Sequence, residues 1–169
     1  MNRVAVNRLD ASVVLRDPQP GDLGWVVQQH GAIYALEYGF TNEFEGLVAG
    51  IVAGYVKNFR PDLERCWIAE VNGQLVGSVF VVRKSPRVAK LRLLILTREA
   101  RGFGLGERMV IQAIEFARAA GYRKMILWTQ DCLLKARRIY TAQGFALTRG
   151  EANHAFGQDL VSETWELEL

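Results

Sequence analysis

The chain has 169 residues, of which 50% are hydrophobic and 23% charged, which is the composition of a folded protein with one domain over 1–169. No apolar run approaches the roughly 18 residues of a membrane span, and residues 1–8 lack the apolar stretch of a signal peptide, so we expect a cytoplasmic protein with no membrane partner. The net charge of +3 is spread along the chain and Cys66 and Cys132 stand apart, which argues against nucleic acid as a partner and against a metal site.

Hydrophobic periodicity and turn residues predict seven strands and four helices. Asp22 is expected to be the N-cap of the first helix, and Asn72-Gly73 is expected to close a hairpin. In chain order the elements are a strand over 12–16, helices over 23–37 and 43–58, strands over 66–71, 75–82 and 88–96, a helix over 105–120, a strand over 124–129, a helix over 132–142, and strands over 145–148 and 162–169.

The most informative stretch joins the apolar strand over 90–96 to a glycine turn over 101–106, which opens a helix. The turn reads Arg101-Gly102-Phe103-Gly104-Leu105-Gly106. The first N–H groups of a helix are unpaired and partly positive, and glycine lets the backbone approach an oxyanion without a Cβ in the way. The glycine turn is therefore predicted to bind an anion.

The glycine turn can be compared with three known patterns. The dinucleotide pattern Gly-x-Gly-x-x-Gly fails, because Glu107 follows Gly104 at the third position. The nucleotide triphosphatase loop fails, because Gly106 is followed by Glu-Arg and not by Lys-Ser or Lys-Thr. A helix start that only needs a tight turn remains an alternative. The third pattern fits, since Arg101-x-x-Gly104-x-Gly106 resembles the pyrophosphate-binding motif of the GNAT superfamily of acyl-CoA N-acyltransferases.

A second motif strengthens the resemblance. Ala136-Arg137-Arg138-Ile139-Tyr140, followed by Gly144-Phe145, is similar to the second signature of that superfamily. The resemblance implies an α/β (α+β) GNAT fold, with about four helices on a mixed, largely antiparallel sheet of six to seven strands whose central parallel pair splays apart. It also implies an N-acetyltransferase that uses acetyl-CoA as co-substrate, needs no metal, and supports direct attack by a primary amine on the acetyl group.

The resemblance assigns a first group of residues to acetyl-CoA. Tyr140 would give a proton to the departing sulfur; the alternative is a core tyrosine whose hydroxyl bonds a neighbour. Leu133 occupies a position where the family often has Asn, so Thr129 or Asp131 would have to supply that hydrogen bond. Arg98 or Arg101 would face the adenosine phosphate. The expected cofactor-binding residues are Leu94, Ile95, Leu96, Arg101, Gly102, Phe103, Gly104, Leu105, Gly106, Leu133 and Tyr140.

A second group is expected to bind the amine and accept its proton. His30, Tyr34, Glu37 and Tyr38 lie near one face of the first helix, although such a cluster can also be the solvated side of an amphipathic helix. Glu37 and Tyr38 are catalytic candidates beside Tyr140. Arg92 either binds a substrate carboxylate or pairs with Glu70 or Glu166 in the sheet. Strand alternation predicts that Arg92 shares a side with Leu94 and Leu96.

The acceptor is expected to be a small amino-acid-like amine, with polyamines, protein lysine and antibiotics as further possibilities. A homodimer is left open. An acyl-CoA sensor without turnover is the alternative function, because Leu133 departs from the family pattern and the central strand has no Glu. The chain also resembles acetyltransferase domains that elsewhere follow a MarR-type winged helix. Only about a dozen residues precede the first predicted strand, so DNA binding is not expected.

Overall fold

The computed structural model describes residues 12–169, so the prediction about a signal peptide over 1–8 lies outside the described residues. Among residues 12–169, no helix is both long and apolar enough to cross a membrane. The elements are β1 (Val13–Arg16), α1 (Asp22–Tyr38), α2 (Asn42–Asn58), β2 (Arg65–Val71), β3 (Gln74–Arg83), β4 (Val88–Leu96), a 3₁₀ turn (Arg98–Ala100), α3 (Leu105–Ala119), β5 (Lys124–Gln130), α4 (Leu134–Ala142), β6 (Ala146–Ala155) and β7 (Gln158–Glu168).

The seven strands form one sheet in the order β1-β2-β3-β4-β5-β7-β6. The pair β4–β5 is parallel and every other neighbouring pair is antiparallel. Asn72 and Gly73 close the β2–β3 hairpin with positive φ angles of 51° and 78°, as a tight hairpin turn requires. The predicted mixed sheet with a central parallel pair and four helices is confirmed.

Apolar side chains cover both faces of the sheet. On one face, α3 packs through Met109 and Val110 against a core that includes Leu91 and Leu127. On the other face, α1 and α2 pack against Phe80 and its neighbours. Cys66 and Cys132 are both free thiols, and they belong to or pack against this second core.

The structure corrects three local predictions. Asp22 is not the N-cap but the first residue of α1, because its carboxylate is held by Arg16 at 2.7 Å and by the backbone N–H of Gln19. Helix α4 begins at Leu134 and not at 132. Strands β6 and β7 together cover most of 146–168, far more than predicted. Nearly all of β6 is exposed, so it shows no apolar period that could reveal a strand.

A bulge in β4 corrects the predicted facing of Arg92. Leu93 has a φ angle of +52°, and the pairing with β3 shifts there, so that Phe80 opposes Arg92 whereas Ser78 opposes Ile95. The extra residue resets the alternation of side chains. Leu94 and Leu96 therefore pack on the α3 side, and Arg92 faces α1 and α2 on the opposite side.

Strands β4 and β5 separate just before this bulge. Their pairing ends at Leu91 and Leu127. Beyond that point β4 stays paired with β3, and β5 stays paired with β7 up to Gln130. The sheet thus contains a gap between the last residues of its two parallel strands.

Candidate functional site

Two cavities meet at the gap. We call the first the loop cleft: it has a volume of about 320 Å³ and lies between α1, the end of β4, the glycine turn and α4. The second, the inner cavity, has about 340 Å³ and lies between α1, α2, β4, β5 and α4. Four residues line both and mark the junction, namely Tyr34, Leu94, Leu133 and Ala136.

The glycine turn forms one wall of the loop cleft. Gly104 is the N-cap of α3 with a φ angle of 77°, and no side chain caps this helix. Its first N–H groups therefore lack intrahelical acceptors and carry the positive end of the helix dipole. At Gly106 a Cβ would lie 3.0 Å from Ile139 Cδ1 and 3.3 Å from Leu96 Cδ1, so glycine lets α3 pack closely against its neighbours. The arrangement is suited to a phosphate group.

Arg101 connects the glycine turn to two other elements. Its Nε and Nη2 each donate to the carbonyl of Leu96 at 3.2 Å, and its Nη1 donates to Glu37 Oε1 at 2.7 Å. Arg98 lies 3.7 Å from the same carboxylate oxygen and is more exposed than Arg101. Arg101 thus fixes the turn against β4 and α1, which leaves Arg98 as the more accessible cation.

Most of the expected cofactor-binding residues line the loop cleft. They are Leu94, Ile95, Leu96, Arg101, Gly102, Gly104, Leu105, Gly106 and Leu133. Phe103 lies between two of these glycines, but its side chain is not part of the lining and is partly exposed. Tyr140 lines the inner cavity instead.

Leu133 is the N-cap of α4 and supplies no side-chain hydrogen bond there. Neither of its expected substitutes reaches the loop cleft. Thr129 lines the inner cavity, and Asp131 accepts a hydrogen bond from the N–H of Val161 at 3.2 Å. The start of α4 is thus a second helix N-terminus without a side-chain cap beside the loop cleft.

The four expected residues of α1 are divided between the two cavities. His30 lines the inner cavity, Tyr34 lines both, and Glu37 and Tyr38 line the loop cleft. Tyr34 is held in an aromatic cluster, with its ring centroid 4.4 Å from that of Phe44. Burial raises the pKa of Tyr34 and of Tyr38, so both phenols keep their protons.

His30 is the buried imidazole of the inner cavity. Its Nδ1 lies 2.7 Å from the carbonyl of Val26 and therefore donates to it, which leaves Nε2 with a free lone pair. Burial lowers the pKa of His30 to about 4, although the hydrogen bond acts in the opposite direction. The ring is therefore neutral at neutral pH.

Tyr140 lies on α4 and is only 5% exposed. Its ring packs against Phe145 and Trp165, with centroid distances of 5.8 and 6.4 Å. No group among residues 12–169 forms a hydrogen bond with its hydroxyl, and burial raises its pKa. The hydroxyl is thus a protonated group at the cavity wall, without the neighbouring partner that a purely structural role would provide.

Arg92 lines the inner cavity without a carboxylate partner among the described residues. The alternative that it pairs within the sheet is wrong, because Glu70 binds Arg16 at 2.7 Å and Glu166 binds Lys124 at 3.0 Å. Burial lowers the pKa of Arg92.

Lys90 lines the inner cavity beside Arg92. Burial and the charges of Arg92 and Lys84 lower the pKa of Lys90 to about 8. Among residues 12–169, no Asp or Glu belongs to the cavity lining. The inner cavity is therefore electropositive.

Lys90, Trp128 and Gln130 line this cavity although the sequence analysis did not assign them to the site. Trp128 is 44% exposed at the open side, and Gln130 is almost fully buried. A polar residue directly after the predicted apolar strand over 124–129 was the available signal for Gln130, but the sequence alone could not reveal its burial.

Residues 32–145 match the family described as the Acetyltransferase (GNAT) family. N-acetyltransferase family 8 member 3 of Rattus norvegicus is 35% identical over 95 residues, which cover 53% of this chain and 41% of that protein. An uncharacterized N-acetyltransferase of Schizosaccharomyces pombe is 30% identical over 117 residues, covering 68% of this chain and 71% of that protein. N-acetylaspartate synthetase of Danio rerio is 30% identical over 99 residues, covering 58% and 34%.

The chain spans about half the length of its relatives from rat, Xenopus and human, between 41% and 55% of each. Among solved structures, an acetyltransferase of Salmonella typhimurium with its cofactor acetyl-CoA superposes with a TM-score of 0.75 at 17% identity, over 93% of this chain and 94% of that chain. This likeness concerns the fold. The match over 32–145 shows that the chain belongs to the GNAT family of acetyltransferases.

Proposed function

We propose that this chain transfers the acetyl group of acetyl-CoA to the primary amine of a small acceptor that carries an anionic group, as an amino acid does. The observation that carries the proposal is Arg92, a half-buried cation that faces the inner cavity and has no carboxylate partner among the described residues. The resemblance to acetyltransferase domains that follow a MarR-type winged helix stays a prediction. So does the use of antibiotics or protein lysine as acceptors.

The loop cleft is proposed to hold acetyl-CoA, which supplies the acetyl thioester. The uncapped N-terminus of α3 would bind the pyrophosphate through the N–H groups of the glycine turn. The backbone of Leu94, Ile95 and Leu96 would line the arm that leads to the thioester, since these residues form the edge of the gap. Arg98 would be available for a further phosphate.

Replacement of Gly104 tests the phosphate site. A β-branched residue is strained at a φ angle of 77° and would alter the turn. Gly104→Val is therefore expected to weaken acetyl-CoA binding, measured by calorimetry, by about 10-fold or more. This is the order of magnitude for the loss of charge-assisted hydrogen bonds. Gly21→Val is the matched control, because Gly21 is also an N-cap with positive φ and open space around it. If Gly104→Val binds acetyl-CoA as tightly as Gly21→Val and the wild-type protein do, the glycine turn is not part of the acetyl-CoA site.

The inner cavity is proposed to hold the acceptor. Its walls are largely apolar, with Phe44, Leu47 and Ile51 from α2, while Lys90 and Arg92 supply positive charge. A polyamine would bring further positive charge to these cations and find no carboxylate in the part of the chain that the structure describes, whereas an acceptor carboxylate would offset their charge. The relative from Danio rerio is named for a product of an acidic amino acid, which supports an anionic acceptor.

Substrate comparison tests the role of Arg92. The wild-type protein is expected to prefer leucine to isoamylamine, the same amine without its carboxylate, and Arg92→Leu is expected to lose roughly 10- to 100-fold of that preference, the range for a charged hydrogen bond. Arg118→Leu, on the exposed face of α3, is the control. Equal preference in wild type and Arg92→Leu would exclude Arg92. Binding of acetyl-CoA without acetylation of any amine would indicate a sensor.

The proton of the attacking amine needs an acceptor in the same cavity. Glu37, one sequence candidate, is held by Arg101 in the loop cleft, and Tyr38, the other, is a protonated phenol there. His30 lines the inner cavity, is neutral, and has its Nε2 lone pair free. We therefore assign the role of general base to His30 Nε2, directly or through water.

His30→Gln is expected to lower kcat by roughly 10²-fold, the low end for general base catalysis. His154→Gln, at an exposed histidine of β6, is the control. Unchanged kcat in His30→Gln would exclude the base role.

The same variant has a pH-dependent effect on stability. The folded-state pKa of His30 lies below the unfolded value, so its stabilisation is complete above pH 6.5 and is lost as the pH falls towards 4. Denaturant titrations of the wild-type protein should show a loss of up to about 3 kcal/mol across this window, which His30→Gln lacks. Parallel titration curves for the two proteins would argue against a buried neutral imidazole.

Tyr140 is proposed to donate a proton to the departing sulfur. A proton donor acts mainly in the transition state, so Tyr140→Phe is expected to lower kcat by roughly 10²-fold and to leave the KM for acetyl-CoA near its wild-type value. Tyr122→Phe is the control, because it removes a hydroxyl that bonds the carbonyl of Leu63 away from both cavities. Full activity in Tyr140→Phe would make Tyr140 a packing residue.

A further inference from the structure

Gln130 carries a buried hydrogen-bond donor that the fold does not use. The residue ends β5, is 3% exposed, and lines the inner cavity. Its Nε2 has no hydrogen-bond partner among the described residues. A buried donor without a partner costs about 1–3 kcal/mol, so a partner from outside the fold would relieve this cost.

The orientation of the Gln130 amide follows from its neighbours on β6 and β7. Ser162 lies opposite Gln130, and its hydroxyl donates to Gln130 Oε1 at 3.2 Å. The same hydroxyl oxygen accepts a hydrogen bond from Asn153 Nδ2, which also faces the carbonyl of Glu151. Because that carbonyl can only accept, the Asn153 nitrogen points this way. The Ser162 proton has no acceptor among the described residues other than Gln130 Oε1, so the opposite amide orientation would leave that buried proton unpaired. The Gln130 nitrogen is thereby turned away from Ser162.

This nitrogen needs an oxygen, and none of the described residues provides one. Arg92 lies at the other edge of the gap, on β4, one residue past the last pair of the parallel strands. A molecule in the inner cavity can thus meet a cation from one strand and a neutral donor from the other. Two donors of this kind suit an amine that also carries a carbonyl or carboxylate group.

We propose that Gln130 Nε2 donates a hydrogen bond to a carbonyl or carboxylate oxygen of the acceptor, as a specificity-determining residue beside Arg92. The inference rests on the proposed function, because it names part of the acceptor. The Gln130 contact requires an oxygen that accepts a hydrogen bond and does not require that oxygen to be charged, whereas Arg92 selects negative charge. The two contacts can therefore be measured separately.

Three acceptors separate the contact of Gln130 from that of Arg92, namely leucine, leucinamide and isoamylamine. Leucinamide keeps the carbonyl oxygen but has no carboxylate charge, and isoamylamine lacks both. The ratio of kcat/KM for leucinamide over isoamylamine is expected to be roughly 10-fold lower in Gln130→Met than in the wild-type protein, the value of one hydrogen bond. The comparison between variants cancels the different basicities of the two amines. The preference for leucine over leucinamide should remain, because Arg92 is intact. Gln74→Met, at the exposed start of β3, is the control.

Gln130→Glu separates recognition from a structural role. The carboxylate keeps an oxygen that accepts the Ser162 bond, so a residue that only holds Ser162 would keep the wild-type ratio of leucinamide over isoamylamine. The inference instead predicts that this ratio falls by roughly 10-fold relative to the wild-type protein, because the donor has become an acceptor. A ratio unchanged in both Gln130 variants would overturn it. The inference would also be overturned if the Gln130 variants raise the KM for acetyl-CoA and leave the discrimination between leucinamide and isoamylamine unchanged.

Binding measurements keep the inference testable if no amine is acetylated. Leucinamide is expected to raise the melting temperature of the acetyl-CoA-bound wild-type protein more than isoamylamine does, and this difference should vanish in Gln130→Glu. Such a result would retain the Gln130 contact while the proposed enzyme function fails. Equal shifts for both amines in the wild-type protein would overturn the contact itself.

Discussion

The separation of β4 from β5 is the constraint on which both cavities depend, and β3 supports the bulge that follows it. Ser78 donates its hydroxyl proton to the carbonyl of Leu93, whose backbone has the unusual positive φ angle. At Gly77 a Cβ would lie 2.6 Å from Leu96 Cδ2 and 2.8 Å from the carbonyl of Ile95, so a larger residue would push the end of β4 away. A serine and a glycine on one strand therefore hold the next strand in the shape that keeps the gap open.

The bulge also separates the electrostatics of the two cavities. Lys90 and Arg92 share the inner side by ordinary strand alternation, and the reset at Leu93 turns Leu94 and Leu96 to the side of α3. Glu37 lies on the loop side, paired with Arg101. The charge of Glu37 is thus neutralised, and the inner cavity keeps two cations that no described carboxylate neutralises.

The sequence predicted what depends on local patterns. The glycine turn, its helix and the element order were accessible, because periodicity and turn residues act within a few positions. The side of the sheet on which Arg92 lies relative to Leu94 could not be predicted. It depends on a bulge at Leu93, and no glycine at that position signals a bulge in the sequence. Strand β6 was underpredicted because its residues face solvent. Gln130 was missed because the use of a buried amide depends on partners from other strands, here Ser162 and Asn153.

The proposed chemistry is consistent with the positive inner cavity. An amine attacks only in its neutral form, and two half-buried cations disfavour the protonated form of any amine held beside them. Burial, together with the charges of Arg92 and Lys84, lowers the pKa of Lys90 itself to about 8. If the acceptor binds through its carboxylate at Arg92, that carboxylate supplies the counter-charge for Arg92, and Lys90 and the apolar walls remain to disfavour a protonated amine. A neutral base such as His30 is then needed only to receive the proton that the nitrogen releases on attack.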